Sequence, residues 1–330
     1  MDATIEKGAP CVGFRTPYLF LFIVLQFLAA PLTLSSADLS SQTVKAWDEY
    51  IRATNSRMQN RLAGTTPFLW IDEAPDRRER IRKGEIVAEP ASQDGPKKVP
   101  QGLIHHWIGA VFIPNTTIKA VFSVLNDYDR YDRFFNPAVI TAKLLDDSGD
   151  KRDFSMVLLE KAPFVTAAIA SEYTSDITRV DDQHWYTISY STRIQQIDNY
   201  GQAGQHELPP DQGAGFVWRL YSIERFEEKD GGVYVELEAI ALSRNIPLAI
   251  QWLVKPIVQH LPRNSMVATL QKTRDAVRAE ARSNAPELAE LRQFPGSVHH
   301  GTDKSLGSSR HGLGSQQAFA ATAASAHPHD

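Results

Sequence analysis

The chain has a single cysteine in 330 residues, Cys11, which precedes an apolar run near the N-terminus. If that N-terminal segment is removed, the mature chain has neither a disulfide framework nor a thiol nucleophile. The sequence also lacks the metal-binding spacings H-E-x-x-H and C-x-x-C, and it has no G-x-S-x-G nucleophile elbow. The stretch "GQAGQ" at Gly201 lacks the preceding strand and following helix that a dinucleotide loop needs. We therefore expect no metal and no cofactor, and binding in preference to catalysis.

An excess of positive charge is absent too. The 35 Lys and Arg residues are outnumbered by 39 Asp and Glu residues, which gives a formal net charge of −4. Nucleic-acid binding normally requires a clustered basic surface. Nucleic acid is therefore excluded as the expected partner.

Long apolar runs are scarce, and the clearest one lies near the N-terminus. It extends from Tyr18 to Ala30, follows Arg15 and precedes the small residues Ser35 and Ala37. A helix needs roughly 20 apolar residues to span a bilayer, and this run is shorter. Residues 1–37 are therefore predicted to be a signal peptide, and the protein to be exported to the periplasm or secreted. The alternative is a membrane anchor formed by the uncleaved segment.

Residues 38–100 are predicted to form a helical and charged extension. A helix is expected from about Ser41 to Leu62, because apolar residues recur along one stripe. A connector rich in Pro, Gly and Lys follows at 91–102 and is interpreted as the boundary before the main domain. The stripe consists of Val44, Trp47, Ile51, Met58 and Leu62.

Residues 101–282 have the pattern of one antiparallel sheet. A buried strand from Leu103 is followed by a short amphipathic helix over 118–125 and by a second short helical segment, "DYDRYDRFF". Six further strands are joined by short links, which indicate antiparallel neighbours. Alternation within the strands predicts one apolar face and one wetter face. The six strands are expected at 139–145, 152–159, 167–180, 184–195, 216–228 and 233–242.

An apolar, proline-containing segment follows the last strand and is predicted to cover the apolar face. Its side chains recur at helical spacing, Pro256 should bend the helix, and a second helical stretch continues the same stripe. Residues 283–330 are rich in Gly, Ser, Ala and His and are predicted to be a disordered tail. The covering stripe consists of Ile246, Ile250, Leu253, Val254, Ile257, Leu261, Met266, Leu270, Thr273 and Val277.

Two stretches resemble the START-like, helix-grip superfamily, which includes polyketide cyclases and lipid-transport proteins. They are "FSVLNDYDRYDRFFNP" at 122–137 and "IPLAIQWLVKPIVQHLPRNSMVATLQKTRDAV" at 246–277. The resemblance implies an α+β fold for 101–282: a curved antiparallel sheet of about seven strands wrapped around a long C-terminal helix, with two short helices after the first strand. It also implies an elongated cavity between sheet and helix for an apolar ligand.

Aromatic and aliphatic residues of the strands and of the covering segment are the candidate cavity wall. His106 and His184 are the candidates for acid and base chemistry, with Tyr186 or Tyr190 as a proton donor. Glu236 and Glu238 share the wetter face and are interpreted as a solvated pair. The predicted cavity residues are Phe154, Met156, Tyr173, Tyr186, Ile188, Tyr190, Trp218, Leu220, Leu237, Ile250, Leu253 and Ile257.

The leading functional hypothesis is an exported protein that holds a hydrophobic small molecule, such as a lipid, an isoprenoid or a polyketide-like compound. One alternative is an aromatase or cyclase of the same fold. Another is a structural or interaction domain whose cavity is filled by its own side chains. Contact with a membrane surface stays open as a further interaction, and the sequence carries no signal for the oligomeric state.

Overall fold

The computed structural model describes residues 39–162, 165–245 and 262–283, which form one antiparallel sheet of ten strands with helices on both faces. The strand order across the sheet is β1-β3-β10-β9-β7-β6-β5-β4, with β2 paired to β3 and β8 paired to β7. The strands are β1 (Val87–Pro90), β2 (Lys97–Val99), β3 (Gly102–Pro114), β4 (Val139–Asp147), β5 (Lys151–Ala162), β6 (Val165–Arg179), β7 (His184–Asp198), β8 (His206–Glu207), β9 (Arg219–Lys229) and β10 (Gly232–Arg244).

Five α-helices are described, and local capping explains where two of them begin. Ser40 Oγ accepts a hydrogen bond of 3.2 Å from the Thr43 amide at the start of α1. Thr117 Oγ1 accepts one of 3.3 Å from the Ala120 amide at the start of α3. Such caps satisfy backbone N–H groups that have no partner inside the helix. The helices are α1 (Ser41–Leu62), α2 (Pro75–Arg82), α3 (Ile118–Leu125), α4 (Tyr131–Phe134) and α5 (262–283), with 3-10 turns at Trp70–Glu73 and Tyr128–Arg130.

The fold class predicted from the sequence is confirmed. The first long strand, β3, lies beside the last, β10, and the remaining long strands follow in reverse chain order to β4 at the far edge. Short helices follow β3, and α5 packs on the curved sheet, as the helix-grip architecture requires. The predicted number of about seven strands matches the long strands. The structure adds three short ones, β1, β2 and β8.

The inner face of the sheet is the side that packs against α5. Val111 on β3, Val235 on β10 and Phe226 on β9 form a buried cluster there with Met266 and Leu270 of α5. Burial of a large aliphatic side chain contributes roughly 1.5 to 3 kcal/mol. The prediction that the C-terminal stripe covers an apolar face is therefore confirmed for the residues within α5.

Gly109 allows α5 to approach β3 closely. A Cβ atom at this position would lie 2.8 Å from Met266 Sδ and 2.9 Å from the carbonyl oxygen of Val87. The Val87 oxygen is a backbone atom and could move only with its strand, whereas the Met266 side chain would have to change its position on α5. The absence of a side chain at residue 109 therefore leaves room for both β1 and Met266 beside β3.

The outer face is the opposite side of the sheet, and α1 covers it. Trp47 and Met58 of α1 pack there against Ile104 on β3, Ile240 on β10 and Ile223 on β9. The sequence predicted a wetter face on one side of the sheet. That prediction is wrong for the central strands, because the extension buries their second face.

The extension also adds strands to the sheet. In β1, Val87 pairs with Ala110, and in β2, Lys97 pairs with Ile104, so both strands lie along the free edge of β3. Residues 39–99 are thus built into the same sheet as the strands that follow.

Several sequence predictions lie outside the described residues. They are the signal peptide at 1–37, the tail at 284–330, and the covering residues of 246–261. Within the described ranges, no helix combines the length and the apolar character needed to cross a bilayer.

We expect Trp47→Ala to lower the free energy of unfolding by about 3 kcal/mol or more, because a buried aromatic side chain is lost between α1 and the sheet. Urea denaturation followed by circular dichroism measures the change. Glu49→Ala, on the exposed side of the same helix, is the matched control and should shift stability by less than about 0.5 kcal/mol. Equal stability of the two variants would show that α1 does not contribute to the core.

Candidate ligand-binding site on the inner face

Three aromatic rings stack beside the region that α5 covers. The ring centroids of Tyr128 and Phe154 are 4.4 Å apart, and those of Phe154 and Tyr173 are 5.0 Å apart. Met156 and Leu220 pack against this stack but keep part of their surface accessible. The stack is a cluster of its own, separate from the cluster around α5. It therefore forms an apolar wall that Tyr131 of α4 borders and that lies apart from the cluster under α5.

A row of polar side chains crosses the inner face next to this wall. The backbone registers place Arg152, Ser175, Ser189 and Ser222 side by side on β5, β6, β7 and β9. Ser189 Oγ donates to Ser175 Oγ at 3.0 Å. Because side chains alternate along each strand, this row stands on the same face as Phe154. The inner face thus combines an aromatic wall with a line of small hydroxyl groups.

Glu224 lies one step further along β9 on the same face. Its register partners are Thr187 on β7 and Leu237 on β10. The side chain keeps a small accessible surface although protein atoms surround it closely, and this crowding raises its pKa to about 7. Among the described residues, Glu224 has no hydrogen-bond or ion-pair partner. A carboxyl group in this situation is held close to its protonated form near neutral pH.

Two further polar groups of the inner face lack partners. The Tyr173 hydroxyl is buried and makes no well-aligned hydrogen bond with a described residue. Burial raises the Tyr173 pKa to about 12, although the neighbouring Ser171 hydroxyl lowers it in part. Nη1 of Arg152 is also buried without a hydrogen-bond acceptor, while Nε of the same side chain contacts Asp147 at 3.3 Å. Buried groups of this kind are normally satisfied by protein, water or ligand.

The phenol of Tyr128 connects the aromatic wall to the polar row. Burial raises the pKa of Tyr128 to about 12, while the Arg152 guanidinium and the Ser175 hydroxyl lower it and Glu224 raises it further. Tyr128 therefore lies within electrostatic range of all three groups. Three residues further along the chain, Tyr131 donates a hydrogen bond of 2.5 Å to the Leu125 carbonyl, which connects α4 to the end of α3.

The outer face carries a buried ionic network under α1. Nη1 of Arg225 donates to Glu236 at 2.8 Å, and Nη2 donates to Glu238. Nε2 of His106 is 2.9 Å from the other oxygen of Glu238, and Nδ1 is 2.8 Å from the Tyr50 hydroxyl of α1. This geometry is satisfied when Nε2 carries the proton and Tyr50 donates to Nδ1. The network joins the extension to the sheet through one continuous set of hydrogen bonds.

Several groups of this network are almost inaccessible. The side chains of Arg225 and Glu236 are 1% and 0% exposed, which contradicts the expectation that Glu236 and Glu238 form a solvated pair. Burial by itself would raise the pKa of Glu238, but the His106 hydrogen bond and the Arg225 charge outweigh it and lower the pKa to about 2. Glu238 is therefore ionised and serves to hold Arg225 and His106.

The two histidines proposed for acid and base chemistry both lie on the outer face. His106 is bonded within the network under α1, and His184 contacts Asp181 at 2.9 Å and Glu227 at 3.5 Å. Neither lies on the inner face, so their assignment as acid and base of a site there is corrected. The sequence predicted that His105 and His106 of β3 point to opposite faces, but it could not say which of the two points inward. The structure places His106 on the outer face.

The predicted cavity residues are divided between the two faces. Tyr186 pairs with Arg225, and Leu237 pairs with Glu224. Residues 224 and 225 point to opposite faces. Tyr186 and Leu237 therefore cannot line the same cavity. Those on the inner face are Phe154, Met156, Tyr173, Leu220 and Leu237. Those packed under α1 or beside that contact are Tyr186, Ile188, Tyr190 and Trp218. Outside the described residues lie Ile250, Leu253 and Ile257.

Sequence reasoning missed Glu224, Arg152 and Tyr128 as site residues. One signal for Glu224 was present: "ER" at 224–225 stands in the middle of a strand whose neighbours are apolar. Adjacent charges in such a strand must point to opposite faces, so one of them has to face inward.

Two surface hollows lie away from the inner face. One, of about 400 Å³, is next to the start of α3 and is lined by Thr116, Thr117 and Glu228 among others. The second, of about 500 Å³, lies along α2 and is lined mainly by charged residues. Neither offers the enclosed apolar wall that a hydrophobic ligand requires. Within the described part of the chain, no group of three or more His, Cys, Asp or Glu residues is arranged to hold a metal ion.

No protein-family model and no curated protein matches the chain. Solved structures to which it is similar include a STAR-related lipid transfer protein from Xanthomonas axonopodis, with 17% identity, a TM-score of 0.37, and coverage of 59% of this chain and 98% of that one. A second is the Zhui aromatase/cyclase from a Streptomyces species, with 13% identity, a TM-score of 0.38, and coverage of 54% and 96%. A third is human STARD10, with 10% identity, a TM-score of 0.37, and coverage of 61% and 80%. Because all three TM-scores are below 0.5, the fold assignment rests on the strand order and helix positions given above.

We expect Arg225→Met to lower the free energy of unfolding by about 3 to 5 kcal/mol, because it leaves Glu236 and Glu238 buried without their cation. Arg193→Met is the matched control. Its ion pair with Glu172 is exposed, and its loss should cost less than about 1 kcal/mol. Urea denaturation of both variants measures the difference. Similar values for the two would mean that the network under α1 is not structurally important.

Proposed function

We propose that the protein binds a hydrophobic small molecule against the inner face of its sheet. The observation that carries the proposal is the aromatic stack of Tyr128, Phe154 and Tyr173, with Met156 and Leu220 still accessible beside it. A domain whose cavity is filled by its own side chains would have these residues fully covered. Their residual accessibility supports a space for a ligand and disfavours the purely structural alternative.

The chemistry of this wall suits a molecule with a rigid or extended apolar body. Stacked rings offer flat surface, and aromatic side chains bury about 150 to 250 Å² each. A binding site of this type works by shape and by removal of apolar surface from water. Lipid, isoprenoid and polyketide-like molecules all have such a body.

The binding prediction concerns Met156, whose side chain borders the open part of the wall. Met156→Trp should fill this space and weaken binding of 1-butylpyrene about fivefold or more, since over-packing a site costs roughly 1 to 3 kcal/mol. Native mass spectrometry of the protein titrated with the probe measures the bound fraction.

Tyr190→Trp is the matched control, because residue 190 lies on the outer face and is 37% exposed. It should bind 1-butylpyrene as the unmodified protein does. The proposal fails if the unmodified protein neither binds the probe nor co-purifies with a hydrophobic molecule.

An enzyme of the acid–base type is a second candidate, favoured by one observation. Glu224 combines an inner-face position with a pKa of about 7, which is suited to proton transfer near neutral pH. Incubation of the protein with a linear poly-β-ketone thioester, followed by mass spectrometry of the products, would test it. Cyclised, dehydrated product that is lost in Glu224→Gln supports catalysis, and unchanged substrate supports binding alone.

Export is part of the proposal. It is supported by the apolar run from Tyr18 to Ala30 with small residues at Ser35 and Ala37. N-terminal sequencing of the protein recovered outside the cytoplasm should give a start close to residue 38. A full-length chain retained in the membrane fraction would favour the anchored alternative.

A further inference from the structure

Resting on the proposed function, we infer that the bound molecule presents a hydrogen-bond-accepting oxygen, such as a carbonyl, to Glu224 and the adjacent row of polar side chains. The ligand would therefore be an uncharged hydrophobic carbonyl compound, with its apolar body on the aromatic wall and its oxygen on the polar row. The inference starts from which polar groups of the inner face have no partner.

The unpartnered groups can all donate. Arg152 Nη1 can only donate a hydrogen bond, and the Tyr173 hydroxyl can donate one. Both atoms are buried without a hydrogen-bond partner among the described residues. The Ser175 and Ser189 hydroxyls bond to each other, and Ser175 also lies within hydrogen-bonding reach of the Tyr128 phenol, so these two hydroxyls are not among the unpartnered groups. A protonated Glu224 carboxyl is likewise a donor. A ligand that satisfies this set must bring acceptors.

The position of these groups agrees with a single ligand. Arg152, Ser175, Ser189 and Ser222 occupy one row across four adjacent strands, and Glu224 follows Ser222 on the same face of β9. Neighbouring strands are about 4.8 Å apart, so the row spans roughly the length of a small polycyclic or medium-chain molecule. The aromatic stack borders the row at its β5 and β6 end, where Phe154 and Tyr173 are two residues away from Arg152 and Ser175 on the same face. Apolar wall and polar row thus define two sides of one elongated molecule.

The groups around Glu224 leave it without a counter-charge. Thr187 and Leu237 flank it on the adjacent strands, and Tyr128 and Tyr131 are the ionisable groups close enough to interact with it. Arg152 is committed partly to Asp147. The buried residues of α5 are apolar except for a threonine. A neutral carboxyl is therefore the form compatible with a ligand closing over it.

The consequence for pH dependence has a definite sign. Below about pH 7 the carboxyl is protonated and donates to a ligand carbonyl. Above that pH it is ionised, cannot donate, and must lose its hydration when the ligand closes the site. Binding of a carbonyl compound should therefore weaken as the pH rises through 7.

The experiment uses three pyrene probes with the same apolar body: 1-butylpyrene, its ketone 1-butanoylpyrene, and 1-pyrenebutylamine. Affinity is measured from tryptophan-to-pyrene energy transfer at pH 6.0 and 8.5. We expect the ketone to bind about tenfold more tightly than the hydrocarbon at pH 6.0, as one net hydrogen bond provides. This preference should fall several-fold at pH 8.5.

Two variants separate the role of Glu224 from general damage. Glu224→Leu should remove the ketone preference, so that the ketone and 1-butylpyrene bind this variant with affinities within about twofold of each other. Glu224→Gln keeps an N–H donor, and should retain the preference while losing its pH dependence. Glu207→Leu, at an exposed position on β8, is the control and should behave as the unmodified protein. Circular dichroism confirms that each variant is folded.

The outcomes distinguish the two proposals. If no probe binds, the proposed function fails. If all probes bind equally and Glu224→Leu has no effect, binding stands and the inference about the ligand oxygen is overturned. If the amine binds best and its affinity rises with pH, Glu224 acts as an ionised partner for a cation, and the inferred ligand class is wrong.

Discussion

The structure depends on the burial of both faces of strands β3, β10 and β9. On the inner face α5 packs against these strands, and on the outer face α1 and the turn after it do so. In a sheet covered on both sides, most polar side chains of the central strands are in contact with a partner. Two neighbouring residues of β9 differ in this respect: Arg225 lies in a hydrogen-bonded network on the outer face, and Glu224 lies unpartnered on the inner face. The Arg225 guanidinium is bonded to two carboxylates of the protein. Glu224 has no hydrogen-bond partner among the described residues.

This arrangement divides structural from functional polar residues. The outer-face network has a structural role, because its members bond to one another and to the extension. They are Arg225, Glu236, Glu238 and His106. Buried ion networks of this kind are costly to desolvate, so they add little net stability, but removing one partner leaves a buried charge without its counter-charge. The polar groups of the inner face have the opposite character, because their hydrogen-bonding capacity is not exhausted. The pKa of Glu224 is raised to about 7 because burial acts on it without a nearby cation. The pKa of Glu238, in the same sheet, is lowered to about 2 by His106 and Arg225.

The sequence predicted the order of elements well because alternation and helical periodicity are local signals. The helix over Ser41–Leu62 has the predicted bounds, and the long strands differ by a few residues at their ends. Orientation was the weak point. In a strand covered on one side, hydrophobicity marks the buried face. In β7 and β9 residues of both alternate sets are at least partly buried, so the pattern cannot say which set faces the helix. Tyr186 and Ile188 were therefore assigned to the inner face although they pack under α1. Interstrand register, which sequence alone does not give, was needed to place Glu224 beside Thr187 and Leu237.

The position of the extension along β3 has a further consequence for how the protein behaves at high concentration. An uncovered edge strand offers free N–H and C=O groups that can recruit another chain and start fibril-like association. Here β1 and β2 occupy that edge. At the far end of the sheet, β4 has two breaks in its register with β5 and an exposed Lys143. Irregular geometry and a charge are features that discourage strand addition. The strands at the first edge are short, with four residues in β1 and three in β2, and short edge strands give another chain little to pair with. The described sheet is therefore protected against self-association by short strands at one edge and by irregular register at the other.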